Sequence, residues 1–350
     1  MKHALAVSML ALASFSPGVV AAQEGSDPST IRLQNGFDPI GAEVHHLDAD
    51  GRDVYFIDEG PRDGRPVVFI GGQGTSLEAF QLTEFARTSR EALGLRVISV
   101  ERNGFGDSPF DRNLGYADYV NEVLAVLDHL QVGEFALMAI SGGGAYAAHL
   151  ASTVPDRVIS LHLGAASPST LPTRSDRNCE KSFAEARADA LRWTHNPQMW
   201  WGVPGSPVLV IPGWQDRAYA DATRSFYVAG QMGDPSALAH ENLLPCSEDA
   251  VVDASLITSP AYLYWGEVDT AVPVAAMEQW QEALPNVARA TIYPDEGHTV
   301  QYRHWVQVMA DMAGHGDYTV VCRNGETQLV ASDEVTAEDQ LDLCAWYQAD

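Results

Sequence analysis

Basic residues are scarce in this chain. Only 21 Lys and Arg stand against 47 Asp and Glu, a formal net charge of −26 over 350 residues. Such a chain repels the phosphates of nucleic acid, which argues against a nucleic-acid partner. The same charge argues against an anionic membrane surface, and the acidity is read as serving solubility. Cysteine is scarce too: Cys179, Cys246, Cys322 and Cys344 are the four, and none stands in a Cys-x-x-Cys pair. A zinc site is therefore not expected, nor any other metal. The chain also lacks an Asn-x-Ser/Thr sequon, an internal repeat and a low-complexity segment. Beyond the N-terminus no apolar run is long enough to span a bilayer, so no membrane anchor is expected.

The N-terminal run has the form of a secretory signal peptide over residues 1–22. Lys2 and His3 open it, Ala4 to Leu12 form an apolar core, and Val20-Ala21-Ala22 supplies small residues for cleavage. Cleavage there removes one base and no acid, so the charge becomes −26 − 1 = −27. The expected location is the periplasm or the exterior of the cell. In such a compartment an even number of cysteines points to two disulfides.

What is present has one organising stretch, Glu134 to Ala151. Phe135 to Ile140 is an apolar run that reads as a fully buried strand. Ser141 and three glycines follow, then Ala145 to Ala151, which favours a helix. Strand, serine, glycines and helix make the sequence form of a nucleophile elbow, a turn so sharp that the serine is strained and its hydroxyl exposed. Positions two before and two after the serine must be small, and they are Ala139 and Gly143.

The remaining chain alternates strand and helix at βαβ spacing, which predicts a doubly wound, mostly parallel α/β sheet. Residues 23–40 read as a loose lead-in. Strands are expected at 42–46, 53–57, 67–70, 96–100, 158–163, 261–265 and 288–293. Helices are expected at 76–93, 116–130, 273–284 and 299–312. The alternation breaks over residues 167–256, which hold Trp193, Trp200, Trp201 and Trp214. That insertion reads as a helical lid, with helices over 182–193 and 217–231 and with Trp200 and Trp201 as candidates for an apolar pocket. The core is then 23–166 and 257–313. Residues 314–350 read as an extension: an Asn324-Gly325 hairpin and a short last helix opened by Thr336-Ala-Glu-Asp339.

A serine hydroxyl needs a general base, and the base an orienting acid. In an open parallel sheet reactive groups gather at the carboxyl ends of strands. His298 follows the strand 288–293, and Asp269 follows the strand 261–265. The other place for an acid lies after strand 158–163, where Gly164 to Thr170 holds no carboxylate. Glu267 is the nearest rival to Asp269, but it sits on the strand side of the turn. Asp295 and Glu296 read as solvated turn residues. A developing oxyanion needs two backbone N–H donors. Gly142 supplies one, and Gln73, within Gly71-Gly-Gln-Gly74, supplies the other.

Together these pieces resemble the α/β-hydrolase family, in its lid-bearing form. The carriers are Gly71-Gly-Gln-Gly74, Glu101-Arg-Asn-Gly-Phe-Gly106, Ala139-Ile-Ser-Gly-Gly143, Gly266-Glu-Val-Asp269 and Glu296-Gly-His298. The chain departs from the family at Gly71-Gly72, where His-Gly is frequent, and at Glu101-Arg102, where Asp-Arg is frequent. The resemblance implies hydrolysis of a small ester-type substrate through an acyl-enzyme, without a cofactor. A carboxylic ester or a lactone is the expected substrate. A peptidase of the prolyl-aminopeptidase kind is the alternative, with Glu180, Glu185 or Glu241 of the lid holding an amine. A non-catalytic ligand-binding member of the fold is the third reading. No motif speaks to oligomeric state. For the cysteines, local pairing is expected: Cys179–Cys246 within the lid and Cys322–Cys344 within the extension, since neither then distorts the sheet.

Overall fold

Continuous apolar runs form the centre of the structure, a computed structural model that describes residues 27–36, 38, 41–168, 178–194 and 234–347. The expected signal peptide, the helix expected over 217–231, and Trp200 and Trp201 lie outside these residues. In chain order the strands are β1 (Val44–Ala49), β2 (Arg52–Glu59), β3 (Arg65–Ile70), β4 (Leu95–Val100), β5 (Phe135–Ile140), β6 (Val158–Gly164), β7 (Ala261–Gly266) and β8 (Val287–Tyr293). Every residue of β4 and of β5 is buried, as expected of strands covered on both faces.

These eight strands form one sheet in the order β1-β2-β4-β3-β5-β6-β7-β8. β2 pairs antiparallel with β1 and with β4. All other neighbours are parallel. The chain leaves β3 for β4 on one side and then crosses to β5 on the other. The carboxyl ends of β3 and β5 therefore flank a topological switch point, where open α/β sheets place their sites.

Helices cover both faces. On one lie α2 (Tyr116–His129), α3 (Gly143–Thr153) and α6 (Val274–Ala283). α2 buries Tyr119, Val120, Val123, Val126 and Leu127, the stripe that its helical spacing announces. On the other face lie the 3-10 segment Leu77–Ala86, α1 (Arg87–Ala92) and α8 (Trp305–Met312). Between the lid's described parts, α4 (Phe183–Thr194) and α5 (Ser236–Leu243), a small third core forms from Ala186, Ala190, Ala237, Leu238 and Ala239 with Phe105. The Cys179–Cys246 disulfide joins the segment before α4 to the segment after α5.

Several elements differ from expectation, each for a local reason. The helix expected over 76–93 is 3-10 down to Ala86. There the Thr83 hydroxyl donates to the Phe80 carbonyl, a local bond that competes with the α ladder. The helix expected over 299–312 is broken into α7 (Val300–Arg303) and α8 at His304, whose Nδ1 lies 2.5 Å from an Asp342 carboxylate oxygen. The lead-in is pinned rather than loose over its described part. Leu33 is buried, Gln34 exchanges hydrogen bonds with Ser89, and Asn35 accepts from the Thr327 N–H.

The extension forms its own three-stranded sheet from β9 (Tyr318–Arg323), β10 (Glu326–Ala331) and β11 (Gln340–Leu341). The hairpin turns at Asn324 and Gly325, both at positive φ as a two-residue turn of that type requires. The expected last helix is absent. Asp339 does accept from the Thr336 N–H, but Arg323 on β9 takes both its oxygens and holds the segment against the strand. Asp342, at φ 72°, then turns the chain, and only a 3-10 turn, Cys344–Tyr347, follows. The Cys322–Cys344 disulfide ties that turn to β9.

A polar cluster lies inside the sheet's second half. His162 is fully buried; its Nδ1 lies 3.0 Å from the Tyr264 hydroxyl and its Nε2 2.9 Å from the Ser160 hydroxyl. Tyr264 donates to Asp311 at 2.7 Å, so it accepts from His162 Nδ1–H, and Ser160 donates to Nε2. The imidazole is thus neutral. Burial, aided by Arg65 and Arg289, pushes it down to about 3 from 6.5. Between those values the unfolded chain binds a proton that the folded chain refuses. Stability is therefore lost as pH falls through that window, by about 1.4 kcal/mol per unit. Urea unfolding from pH 7 to pH 4 should show a steeper acid loss for the wild type than for His162→Asn, by about 3 kcal/mol at pH 4. Equal slopes would count against a neutral buried imidazole.

Candidate active site

Ser141 stands at the end of β5 with φ 51°, a left-handed conformation costly to any residue with a Cβ. The surrounding backbone holds it there. Its N–H donates to the Gly164 carbonyl at 3.1 Å, and its carbonyl accepts from the N–H groups of Gly144 and Ser167. The glycines after it are required by close approach. A Cβ on Gly143 would lie 2.6 Å from the Gly71 carbonyl oxygen and 2.8 Å from that of Ile70. A Cβ on Gly142 would lie 2.5 Å from the Gln73 Cβ and 3.0 Å from the Gln73 nitrogen. The backbones of Gln73 and Gly142 therefore touch, one from the loop after β3, the other at the cap of α3. The α3 N-terminus points its dipole at the same place.

His298 reaches this turn from the loop after β8. Its Nε2 lies 3.0 Å from Ser141 Oγ, and its Nδ1 lies 2.8 Å from Asp269 Oδ2. Asp269 is buried, and its other oxygen accepts from the N–H groups of Ala271 and Val272 at 2.8 and 3.0 Å. That turn is fixed from below by the Trp265 indole, which donates to the Val272 carbonyl. The loops after β7 and β8 are also bonded to each other, Glu267 N–H to Tyr293 and Val268 N–H to Glu296. Ser141, His298 and Asp269 so form one hydrogen-bonded chain at the carboxyl ends of three strands. Chemically it can draw a proton from the serine hydroxyl and hold the resulting imidazolium against a carboxylate.

The rival Glu267 points elsewhere; a side-chain oxygen accepts from the Asp295 N–H. Asp295 is exposed as expected, whereas Glu296 is half-buried with an oxygen 3.8 Å from His304 Nε2. Glu180 and Glu185 of the lid are exposed. Glu241 is not a solvated residue: it is buried beside Arg102, with an oxygen 3.0 Å from the guanidinium. Arg102 also lies over the rings of Phe105 and Tyr146. Burial alone would lower Arg102, but Glu241 and its other neighbours hold it above its ordinary value. Glu101 is buried next to it, and burial pushes its carboxyl up to about 8 against the pull of two backbone donors, Leu77 and Arg102. In the sequence Arg102 stands inside Glu101-Arg-Asn-Gly-Phe-Gly106 with nothing beside it to mark a partner in the lid. Its tie to the lid spans 139 positions, 241 − 102, and no local pattern announces it. Among the described residues no group of three or more His, Cys, Asp or Glu could hold a metal, and no helix is long and apolar enough to cross a membrane.

The chain belongs to the α/β-hydrolase fold family, whose profile matches residues 65–304, well over half its length. A non-heme chloroperoxidase of Streptomyces lividans is 30% identical over 257 residues, covering 71% of this chain and 90% of that protein. Solved structures with the same fold include an enol-lactonase from Burkholderia xenovorans, at TM-score 0.59 and 17% identity over 77% of this chain and all of that one. A thermophilic esterase from Thermogutta terrifontis aligns at TM-score 0.55 and 20% identity, over 78% of this chain and 97% of that one. Hydrolase activity is what this kinship supports.

The close packing of α3 on β3 is open to a direct check. Gly143→Ala places a methyl against two backbone oxygens that cannot swing away, so a loss of about 3 kcal/mol is expected. Thermal melts measure it, and an unchanged melting temperature would mean that the helix does not pack so closely.

Proposed function

We propose that the protein is a serine hydrolase that cleaves a carboxylic ester or a lactone through an acyl-enzyme. The observation that carries this reading is the continuous hydrogen-bonded chain from Ser141 through His298 to Asp269. In the proposed reaction His298 Nε2 takes the hydroxyl proton as Ser141 Oγ attacks the substrate carbonyl. The N–H groups of Gly142 and Gln73 receive the oxyanion. The imidazolium then protonates the leaving group, and His298 activates the water that releases the acid. Asp269 holds Nδ1–H and so fixes the tautomer that leaves Nε2 free to act as base. The esterase and the enol-lactonase among the structures of like fold agree with an ester or lactone substrate.

The peptidase reading is less favoured. It needs a free lid carboxylate for an amine, yet Glu180 and Glu185 are exposed and Glu241 is already bonded. We also propose that the chain works outside the cytoplasm. The signal-like residues 1–22 and the two disulfides are consistent with an oxidising compartment.

A fluorophosphonate probe, followed by p-nitrophenyl esters, lactones and proline p-nitroanilide, tests the assignment. Ser141→Ala should abolish labelling and lower turnover by several orders of magnitude, because the three residues act as a unit. Labelling that persists in that variant sinks the reading, and turnover of the anilide alone would favour the peptidase. Asp269→Asn should keep the fold but lose roughly 10⁴ in turnover, by analogy with the protease triad. Near-full activity there would move the orienting role to another acid.

A further inference from the structure

Helix α5 belongs to the lid, yet it grips the loop after β3 at two consecutive residues. Glu241 is 4% exposed, and its Oε2 accepts the Gly74 N–H at 2.5 Å. Asn242 accepts from the Gln73 side-chain amide at 2.8 Å. From beneath, Arg102 donates to the carbonyls of Gly71, Gly72 and Thr75 at 3.2, 2.7 and 2.6 Å. The same guanidinium faces the other oxygen of Glu241 at 3.0 Å. The loop Gly71–Thr75 is thus clamped: Arg102 holds its carbonyls and Glu241 holds an N–H.

The loop's own bonds, from the Thr75 N–H and hydroxyl to the Gly72 carbonyl, hold one peptide plane, and glycine leaves the others free to rotate. An oxyanion donor is effective only when it is preorganised at about 3 Å from the developing charge. Arg102 and Thr75 hold the Gly72 carbonyl, and with it the plane that carries the Gln73 N–H; Glu241, through the Gly74 N–H, holds the plane on the other side of the Gln73 Cα. We propose that Glu241, assisted by Asn242, is a positioning residue of the lid. It fixes the Gln73 Cα against Gly142 from the Gly74 side, so that the oxyanion hole is fully ordered only while α5 is docked. The inference rests on the reading of Gln73 and Gly142 as oxyanion donors. It makes the chemical step, rather than substrate binding, depend on a residue of the lid. It also accounts for a carboxylate buried in the lid, since an unpaired charge there would be costly and Arg102 supplies the partner.

The test uses Glu241→Gln and Asn242→Ala in the full protein, with active sites titrated to completion by fluorophosphonate. Removing an oxyanion donor outright costs about 10²–10³ in kcat, so mispositioning one should cost about 10–10² in Glu241→Gln. Asn242→Ala, at a half-buried position, should cost a smaller but measurable factor. In both, KM should hold, and inhibition by a trifluoromethyl ketone, whose adduct carries the oxyanion, should weaken in step with kcat. A merely structural role predicts a smaller titrated fraction with kcat per titrated site unchanged, and that result overturns the inference. So does a rise in KM at constant kcat. Should Glu241→Gln not fold, an unchanged kcat per site in Asn242→Ala overturns it instead. Failure of the triad reading would be seen separately, as labelling that survives in Ser141→Ala.

Discussion

A single strained residue governs the layout of this site. Ser141 adopts a positive φ only because the sheet and α3 leave it no alternative. Its backbone is bonded on three sides, to Gly164, Gly144 and Ser167. The helix that follows is seated so tightly on the end of β3 that a single methyl at Gly143 would strike two carbonyl oxygens. This close seating brings the Gly142 and Gln73 backbones together and aims the serine hydroxyl at the crevice where the strand order reverses. The partners then arrive from the neighbouring parallel strands, because parallel strands all deliver their loops to the same edge.

Around that turn the chain buries charge that its overall composition would not suggest. Arg102 lies between Glu241 and the rings of Phe105 and Tyr146, with Glu101 beside it. Burying an arginine among carboxylates stabilises little by itself, but removing one partner leaves a charge in a poor solvent. Its effect here is geometric: one guanidinium collects three carbonyls of a loop that has a single backbone turn bond of its own. Among the described residues the insertion is joined to the same centre through α5, which is bonded into the core.

The extension reaches the site's other edge. His304 breaks the helix after the His298 loop and turns to Asp342 of the extension, with Tyr293 stacked on it at a centroid distance of 3.6 Å and Glu296 beyond. Asp342 is carried at positive φ on the short segment that the Cys322–Cys344 disulfide pins. The residues past the matched family region thus brace the base of the loop that bears His298.

Local patterns in the sequence determined a good deal. Buried parallel strands are continuous apolar runs, so β3 to β7 were legible, and the elbow was legible because its steric rule demands small residues beside Ser141. Asp269 and His298 could be located because strand ends are where such a sheet collects its polar groups. Both disulfide pairs followed from each lying within one module. Tertiary structure alone decided the rest. Thr336 and Asp339 carry a helix-capping pattern, yet Arg323 claimed the carboxylate for a strand. Glu241 stands in the sequence as one of three lid acids able to hold an amine, and the fold makes it a buried partner of Arg102 and Gly74. In each such case the local preference is worth about 1 kcal/mol, and a charge-assisted contact from a distant part of the chain outweighs it.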